Sequence, residues 1–531
     1  MLTAEKIAYF KSLEAILNSQ EDLSEFLENV FREIDGHEVQ LSLHKVTSTV
    51  LEKIIEKCSI FHIRVFVDRI SGQVDRLAFH RSGSHVLEKT FKRMLDEGAG
   101  NEQDNDENKD LRNIQKLLQD SLEELDVQQL LGDQYGSHIF RIIIDNLCAN
   151  EELKQSLESV INRISQIKNI WQLGLSVHSS CSLQKLMNCL HKNNHIELFN
   201  KIFKNVLDLE SNAPINLLSD KQSLVNADIL ITNKNGSHFM QVILETISDE
   251  DFVFLFENLL QKKLAKYVSH DCANFVVQQF LDRCNKEQLE IFLKTENVIS
   301  DVTKATNIGV LIKCADACIR IEALYKKFME VLKKSVNVED SLLLKSLLFL
   351  SSQSFKPQGA VLLDKLFMFP FEHVSMLSNS ILDMDENNIF QWSTDKVACH
   401  VIESFLKGTA PNKMKKKLSH TLIGKALELA LDQYGSYILE SVWSAAEVNV
   451  KKTLAESLVK NLGKLEGNFY GKKVVNNLNL RSFGEEDWLK RQEQQQLKKR
   501  VFADLLGGSS REEYLKQRSK AKKKAKKQKS T

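Results

Sequence analysis

The stretch DQYGSHIFRII at residues 133–143 returns almost unchanged as DQYGSYILESV at residues 432–442. Two further segments carry the tripeptide Gly-Ser-His in the same frame, RSGSHVLEKTF at 81–91 and NKNGSHFMQVI at 233–243. Self-similarity at separate places in one chain is the signature of a repeat protein, in which each copy is one structural unit. The chain is therefore predicted to be built from repeats.

Seven weaker copies emerge when the same frame is applied to the rest of the chain. They are HKVTSTVLEKI from His44, HSSCSLQKLM from His178, HDCANFVVQQF from His270, NIGVLIKCA from Asn307, PQGAVLLDKLF from Pro357, DKVACHVIESF from Asp395 and FYGKKVVNNL from Phe469. The small residue of each frame then falls at 47, 83, 136, 180, 236, 273, 309, 359, 398, 435 and 471. The base period of 36 to 39 residues, with insertions, predicts stacked pairs of helices.

The pattern within a copy is helical. Val86, Leu87, Thr90 and Phe91 fall at i, i+1, i+4 and i+5, which places an apolar stripe on one face of a helix. An Asp or His two to three residues before the small residue, such as Asp133, is a candidate N-cap. Only 4 prolines occur in the 531 residues, which favours long helices with short connections. We therefore predict an all-α solenoid of about eleven repeats.

Charge is unevenly distributed although the formal net charge is zero. From Lys516 to the end, 16 residues carry 9 Lys or Arg and no acid. Taking these 9 from the 71 basic residues leaves 62 against 71 acidic residues, a formal charge of −9 for the body. Any nucleic-acid surface on the body must therefore be a local patch rather than a general positive field.

The nine cysteines form no paired CxxC framework. Cys314 and Cys318 make a CxxxC pair without further ligands at zinc spacing, so buried free thiols in a reducing compartment are predicted, with no metal or cofactor. The first 18 residues read as an amphipathic helix rather than a signal peptide. No run reaches the roughly 18 apolar residues of a membrane span. A soluble intracellular protein without membrane contact is expected.

The frame resembles the second helix of a Pumilio (PUF) repeat over about residues 30 to 480. In that family, the two residues after the small one and a third residue three positions further face the concave surface of a right-handed, armadillo-like superhelix. The first and third hydrogen-bond the Watson–Crick edge of an RNA base, and the middle one stacks between bases. The geometry suits this role, since residues at i and i+4 share a helix face and a ring at i+1 can enter the base stack.

The resemblance assigns RNA-binding roles to nine trios of residues. They are Ser48, Thr49 and Glu52; Ser84, His85 and Glu88; Ser137, His138 and Arg141; Cys181, Ser182 and Lys185; Ser237, His238 and Gln241; Asn274, Phe275 and Gln278; Cys399, His400 and Glu403; Ser436, Tyr437 and Glu440; Lys472, Lys473 and Asn476. By the family's usage, the pair of Asn274 and Gln278 suits uracil. The pairs for the other bases are Ser237 with Gln241 for adenine, Ser84 with Glu88 and Ser436 with Glu440 for guanine, and Ser137 with Arg141 for cytosine.

Two repeats and three lysines depart from the family pattern. The frames at 309 and 359 offer Val310, Leu311 and Cys314, and Ala360, Val361 and Asp364, and neither set is predicted to read a base. These repeats are expected to be structural, or the RNA leaves the groove there. Lys185, Lys472 and Lys473 resemble phosphate contacts, which position RNA without specifying its sequence.

Eleven irregular repeats with recurrent Gly-Ser-His and a lysine-rich tail resemble the nucleolar protein nine family. That resemblance implies a monomeric nucleolar protein that binds the small-subunit ribosomal RNA precursor, partly structured in places, alongside proteins of the pre-ribosomal particle, and controls its processing. It predicts three regions: an N-terminal helical cap at 1–30, a solenoid at 31–485 with an acidic loop near 96–110, and a tail at 486–531, helical and then disordered.

Three alternatives to this hypothesis stay open at the level of sequence. One is a nuclear Pumilio-like protein that binds RNA or DNA with little sequence preference, although that group usually carries its basic extension at the N-terminus. Another is a HEAT- or armadillo-like protein scaffold, whose repeats lack a recurrent polar and aromatic trio. An enzyme is disfavoured, because the chain has no HExxH, GxxxxGK[ST] or GxSxG motif.

Overall fold

The computed structural model describes residues 2–19, 23–98, 125–149, 153–207, 221–305, 307–350 and 352–484. These residues are helical with short connections, and none of them lies in a strand. They form two compact units, Met1–Val310 and Leu311–Thr531. The predicted all-α repeat fold is confirmed. The acidic loop from residue 99 onward and the tail at 486–531 lie outside the described residues.

Ten of the eleven repeats show three helical segments among the described residues, rather than the predicted pair: a first helix, a linker helix and the helix with the frame, here called the trio helix. For the third repeat, the described residues include the linker helix and the trio helix. The trio helices span Lys45–Lys57, Gly83–Gly98, Gly136–Ala149, Val177–Lys192, Lys234–Thr246, Ala273–Arg283, Ile308–Ile321, Pro357–Leu366, Ala398–Lys407, Gly435–Ala445 and Phe469–Asn477. We number the repeats one to eleven in this order.

The linker helices precede the trio helices. They span Glu38–Leu43, Val74–Ala78, Val127–Gly132, Ile170–Leu175 (a 3-10 helix), Lys221–Thr232, Leu264–Ser269, Val298–Ala305, Asp340–Phe349, Glu386–Thr394, Ala426–Leu431 and Leu462–Glu466. Several linker helices have only five or six residues. An apolar period cannot be recognised over so few residues. The prediction of two helices per repeat was wrong for that reason.

The first helices and a few short segments complete the described chain. The first helices span Ser24–Ile34, Ile60–Ile70, Lys154–Ser165, Ile196–Val206, Asp249–Leu255 (continued by a π turn at Phe256–Leu260), Lys286–Lys294, Tyr325–Val336, Phe371–Leu382, Asn412–Ile423 and Val448–Val459. An N-terminal helix, Ala4–Ser19, precedes them, and 3-10 turns lie at Ser71–Gln73, Gln261–Lys263 and Leu480–Ser482.

The predicted capping residue, three positions before the small residue of the frame, closes the turn that leads into eight of the trio helices. Three of these helices begin directly after it, and five begin at the small residue itself. The capping side chain accepts hydrogen bonds from the next two free backbone N–H groups, and such a cap typically contributes about 1 kcal/mol. Asp133 does so at 2.8 Å to both Tyr135 N and Gly136 N. The other caps of this kind are His44, His80, Asn233, His270, Asp395, Asp432 and Asn468.

The small residue is required because the trio helix starts directly on the linker helix. A Cβ at Gly236 would lie 2.5 Å from the carbonyl oxygen of Leu230, six residues earlier. In the first repeat, the hydroxyl of Thr47 donates to the carbonyl of Leu41 at 2.7 Å, again six residues earlier. This contact marks the frame independently of sequence similarity, because it fixes the small residue relative to the linker helix.

The unit Met1–Val310 contains the first six repeats, whose trio helices pack on one another in chain order. Val86, Leu87, Thr90 and Phe91 are buried between them, as the apolar stripe predicts. Ala4–Ser19 packs on the first trio helix, where Lys53 Nζ contacts Glu14 Oε1 at 2.5 Å. The other unit contains repeats eight to eleven, and its trio helices also pack in chain order.

Candidate nucleic-acid interface

The trio helices share a pattern of exposure at the three predicted reading positions. Counting the small residue as position 1, position 2 is buried, position 3 is exposed and position 6 lies between the two in repeats one to three, five, six, nine and ten. Phe275 and Tyr437, at position 3, expose 48% and 52% of their surface. We call the surface formed by positions 2, 3 and 6 the trio face.

The sixth repeat shows the best-ordered trio. Gln278 Nε2 donates to Asn274 Oδ1 at 2.9 Å, and Asn274 Nδ2 donates to the carbonyl oxygens of His270 at 2.9 Å and Asp271 at 2.8 Å. These bonds hold both amides in place beside the exposed ring of Phe275. A polar group that is already ordered loses less conformational freedom when it binds a ligand.

Internal contacts also orient the carboxylates at position 6. Glu88 accepts from Lys92 Nζ at 2.6 Å, and Glu440 accepts from Asn477 Nδ2 at 2.7 Å. Glu403 is contacted by Lys407 and by the hydroxyl of Ser441, the latter at 3.3 Å. Each carboxylate therefore has one defined position and oxygen lone pairs that can accept further hydrogen bonds.

Burial and charge favour the neutral form of one ring of the trio face, that of His138. Partial burial, followed by the charge of Arg141, lowers the pKa of His138. The imidazole is therefore uncharged at neutral pH, the form that stacks without an added desolvation cost. Burial also raises the pKa of Glu52, although the charges of His85 and Lys89 oppose that rise.

The structure shifts the predicted trio of the fourth repeat by one residue. Ser182 is fully buried and donates to the carbonyl of His178 at 3.1 Å, so it cannot be the exposed middle residue. The hydroxyl of Ser179 donates to the carbonyl of Leu173 at 2.7 Å, the contact that marks position 1 in the first repeat. The trio is therefore Ser180, Cys181 and Gln184.

Two further observations support this corrected register. Gln184 Nε2 donates to Ser180 Oγ at 3.0 Å, which matches the bond between positions 6 and 2 in the sixth repeat. Lys185, predicted as a phosphate contact, forms an ion pair with Asp145 at 2.6 Å between neighbouring trio helices. The run of small polar residues from Ser179 to Ser182 allows several frames, and only the spacing from the linker helix distinguishes them.

The seventh repeat is also shifted, by two residues. Val310, Leu311 and Cys314 are fully buried, whereas the exposure pattern puts Ile308, Gly309 and Ile312 at the trio positions. A Cβ on Gly309 would lie 2.7 Å from Gln278 Oε1, next to the sixth trio. The residues at the shifted positions have no polar side chains. That this repeat reads no base remains a prediction, now made for Ile308, Gly309 and Ile312.

The remaining trios lie where the sequence placed them. Ala360, Val361 and Asp364 occupy positions 2, 3 and 6 of the eighth repeat, with Val361 45% exposed. In the eleventh repeat, Lys472, Lys473 and Asn476 are exposed, and Lys473 Nζ lies 4.6 Å from the centre of the Phe469 ring.

The described residues hold no group of three or more His, Cys, Asp or Glu side chains arranged to bind a metal ion. All nine cysteines are free thiols, and seven are buried, including Cys314 and Cys318. Among the same residues, no helix combines the length and apolar character needed to cross a bilayer.

Comparison with known proteins agrees with this geometry. The chain is 21% identical to Nucleolar protein 9 of Vanderwaltozyma polyspora over 92% of this chain and 84% of that protein. It is 22% identical to Nucleolar protein 9 of Komagataella phaffii over 96% of this chain and 88% of that protein. These relatives indicate a nuclear, nucleolar protein. A solved structure of APUM23-GGAGUUGACGG matches with a TM-score of 0.81 and 20% identity, over 93% of this chain and 100% of that one.

A family model covers nearly the whole solenoid. The NOP9-like PUF repeat domain matches residues 36–163 and 148–473, which include all eleven trio helices except the last residues of the eleventh. Helical repeats of this class are not enzymes. The chain belongs to the NOP9-like PUF repeat family.

Proposed function

We propose that this protein binds single-stranded RNA along the trio face and that its RNA is the precursor of the small ribosomal subunit. The observation that carries the proposal is the sixth trio, in which Asn274 and Gln278 are ordered beside an exposed Phe275. Amides match the donors and acceptors of a base edge, and an exposed ring offers a stacking surface.

Recurrence of the trio strengthens the case for RNA over a protein scaffold. Positions 2 and 6 carry polar side chains, and position 3 a ring, in repeats two, three, five, six, nine and ten. A surface for protein partners has no need of a ring and a polar pair at a spacing of one repeat. The proposal therefore places successive bases on successive repeats, with several positions read and others only accommodated.

Electrostatics suggest that phosphate contacts are local. The body has an excess of acidic residues, and Lys89 and Lys185 on the trio helices are paired with Glu56 and Asp145. Exposed lysines such as Lys472 are better placed to contact phosphates. RNA affinity should fall as salt rises, because each phosphate contact releases counterions.

The ribosomal part of the proposal rests on family membership and on the name that the relatives share. We infer that the protein occupies a segment of the small-subunit precursor RNA within a pre-ribosomal particle and so controls when it is processed. Parts of that RNA are expected to be structured. A nuclear protein that binds RNA or DNA without sequence preference is the competing candidate.

The proposal is tested by crosslinking the full chain to RNA in cells and sequencing the bound fragments. The wild type is compared with Asn274→Ala/Gln278→Ala and with the control Gln128→Ala/Gln129→Ala, which removes two exposed amides from a linker helix. Reads concentrated on the small-subunit precursor, displaced or weakened only in the first variant, are expected. Reads spread over messenger RNA would remove the ribosomal role, and reads unaffected by the first variant would remove the trio face.

A further inference from the structure

A cleft of about 500 Å³ lies between the eighth and ninth trio helices, at the level of the trio face. Its size is within the range of about 300–1,000 Å³ that is common for small-molecule sites. The eighth repeat carries the small side chains of Ala360 and Val361 at positions 2 and 3, where six of the other repeats carry a polar residue and a ring, and this leaves the space of the cleft.

The walls of this cleft suit a flat aromatic ligand. Val361 is 45% exposed on one side, and the His400 side chain, 65% exposed, lines the cleft from the ninth repeat. An apolar surface and an imidazole ring are both suitable partners for the faces of a nucleobase. Lys396, exposed at the start of the ninth trio helix, also lines the cleft and can contact a phosphate.

The cleft is lined by two carboxylates, Asp364 and Glu403, and by two lysines, of which Lys407 is paired with Glu403. Asp364 Oδ1 accepts from the hydroxyl of Ser404 at 2.7 Å, which holds the carboxylate in place and leaves its other oxygen able to accept. Glu403 lines the same cleft. Two carboxylates favour a ligand edge with adjacent N–H groups and disfavour one with ring nitrogen or carbonyl acceptors.

Among the four RNA bases, guanine alone has two adjacent donors on its Watson–Crick edge, N1–H and the 2-amino group. Adenine, cytosine and uracil each place an acceptor beside their donor on that edge, which a carboxylate would repel. We propose that the cleft between the eighth and ninth trio helices binds one guanine base of the RNA, recognised by Asp364. This inference rests on the proposed RNA-binding function and gives a reading role to a repeat that the sequence left without one.

The test uses the full chain and a random RNA pool, from which bound sequences are selected and read. The variant is Asp364→Ala, and the matched control is Asp316→Ala, which removes a carboxylate that pairs with Lys365 at 2.8 Å and does not line the cleft. Ser404 keeps a partner in the variant, because its hydroxyl also contacts the carbonyl of His400 at 2.7 Å. Thermal unfolding checks that both variants are folded.

We expect one guanine position in the wild-type selection to lose its preference in Asp364→Ala while all other positions persist, and no such loss in Asp316→Ala. In the best selected RNA, inosine at that position removes only the 2-amino group. It should weaken binding to the wild type by about tenfold, as for other lost base contacts, and leave binding to Asp364→Ala nearly unchanged.

The outcomes separate this inference from the proposed function. RNA selected by the wild type with every guanine preference intact in Asp364→Ala would overturn the guanine site and leave RNA binding in place. Failure of the wild type to select any RNA would overturn both. Binding of 5′-GMP that depends on Asp364, with unchanged RNA selection, would show a free-nucleotide site and would overturn the assignment to RNA.

Discussion

The sixth and eighth repeats use the same three-helix frame but differ in what they offer at the trio face. The sixth presents two ordered amides beside an exposed phenyl ring, with Gln278 bonded to Asn274 at 2.9 Å. The eighth presents Ala360 and Val361 beside an open cleft, with Asp364 bonded to Ser404 at 2.7 Å. The two repeats keep the same helical frame although positions 2, 3 and 6 carry Asn, Phe and Gln in the sixth and Ala, Val and Asp in the eighth.

The two repeats also differ at position 1, which belongs to the fold and not to the trio face. The sixth repeat has Ala273 there, fully buried, so its trio helix leaves room for a methyl group. The eighth has Gly359, and a Cβ there would lie 2.2 Å from the carbonyl oxygen of Leu347. The approach of the trio helix to the linker helix is therefore closer in the eighth repeat.

The largest effect is expected from Gly359→Ala, which gives the eighth repeat the residue that the sixth already has. The added methyl group cannot fit without moving backbone, and overpacking of this kind costs about 3 kcal/mol. Chemical denaturation should show a lower free energy of unfolding. Gly463→Ala serves as the control, since no atom lies within 4 Å of a Cβ at that position and alanine there favours the helix. Equal stability of the two variants would contradict the close approach.

The second prediction concerns the ring at position 3. Phe275→Ala should weaken RNA binding by about 2 kcal/mol, roughly thirtyfold, because a stacked base loses its partner. Val361→Ala should have a smaller effect, since the aliphatic side chain offers no π surface. Fluorescence anisotropy with one selected RNA measures both. Phe61→Ala removes a ring that is 60% exposed on a first helix, away from the trio face, and should leave affinity unchanged.

The sequence predicts the repeat, its helical class and most of the trio residues, because the periodic small residue and its N-cap are local features. The sequence predicts the wrong register for the trio in the two repeats where the cap or the small residue is missing or ambiguous. In the fourth repeat, Ser176 precedes the trio helix without a capping side-chain bond, and four consecutive small polar residues follow. In the seventh, Asn307 replaces the small residue, and its side chain donates to the carbonyl of Val268 at 2.8 Å. Registers of this kind depend on contacts with neighbouring helices, which spacing alone does not contain.

The cleft of the eighth repeat is a feature that the sequence does not predict at all, for a different reason. Ala360 and Val361 have no hydrogen-bonding groups, so the sequence predicts no reading there. The space that small side chains leave depends on the neighbouring repeat, here on His400 and Ser404. Sequence analysis by repeats treats each trio alone and therefore cannot find a site that two repeats share.

The smallest effect is expected from a contact that distinguishes the linker helices of the two repeats. The linker helix of the eighth repeat buries Leu343, Leu344, Leu347 and Leu348, whereas that of the sixth is tied to the fifth by a polar network. The hydroxyl of Tyr267 donates to Asp228 Oδ1 at 2.6 Å, and Lys266 donates to the same carboxylate at 2.9 Å.

Tyr267→Phe should lower the free energy of unfolding by about 1.5 kcal/mol at pH 7, as for other hydrogen bonds to a charged group. Burial alone would raise the pKa of Asp228, but its bonds to Tyr267 and Lys266 outweigh burial and hold that pKa below 3.8, the ordinary value. The folded state therefore stabilises the carboxylate form, and this stabilisation is complete above pH 3.8 and disappears as the pH falls through the lowered pKa. The difference between wild type and variant should shrink below pH 3.8. The control is Tyr135→Phe, because the hydroxyl of Tyr135 has no partner among the described residues. Its free energy of unfolding should equal that of the wild type both at pH 7 and below pH 3.8. If Tyr267→Phe lost the same stability at both pH values, the hydroxyl of Tyr267 would act through packing and not through its bond to Asp228.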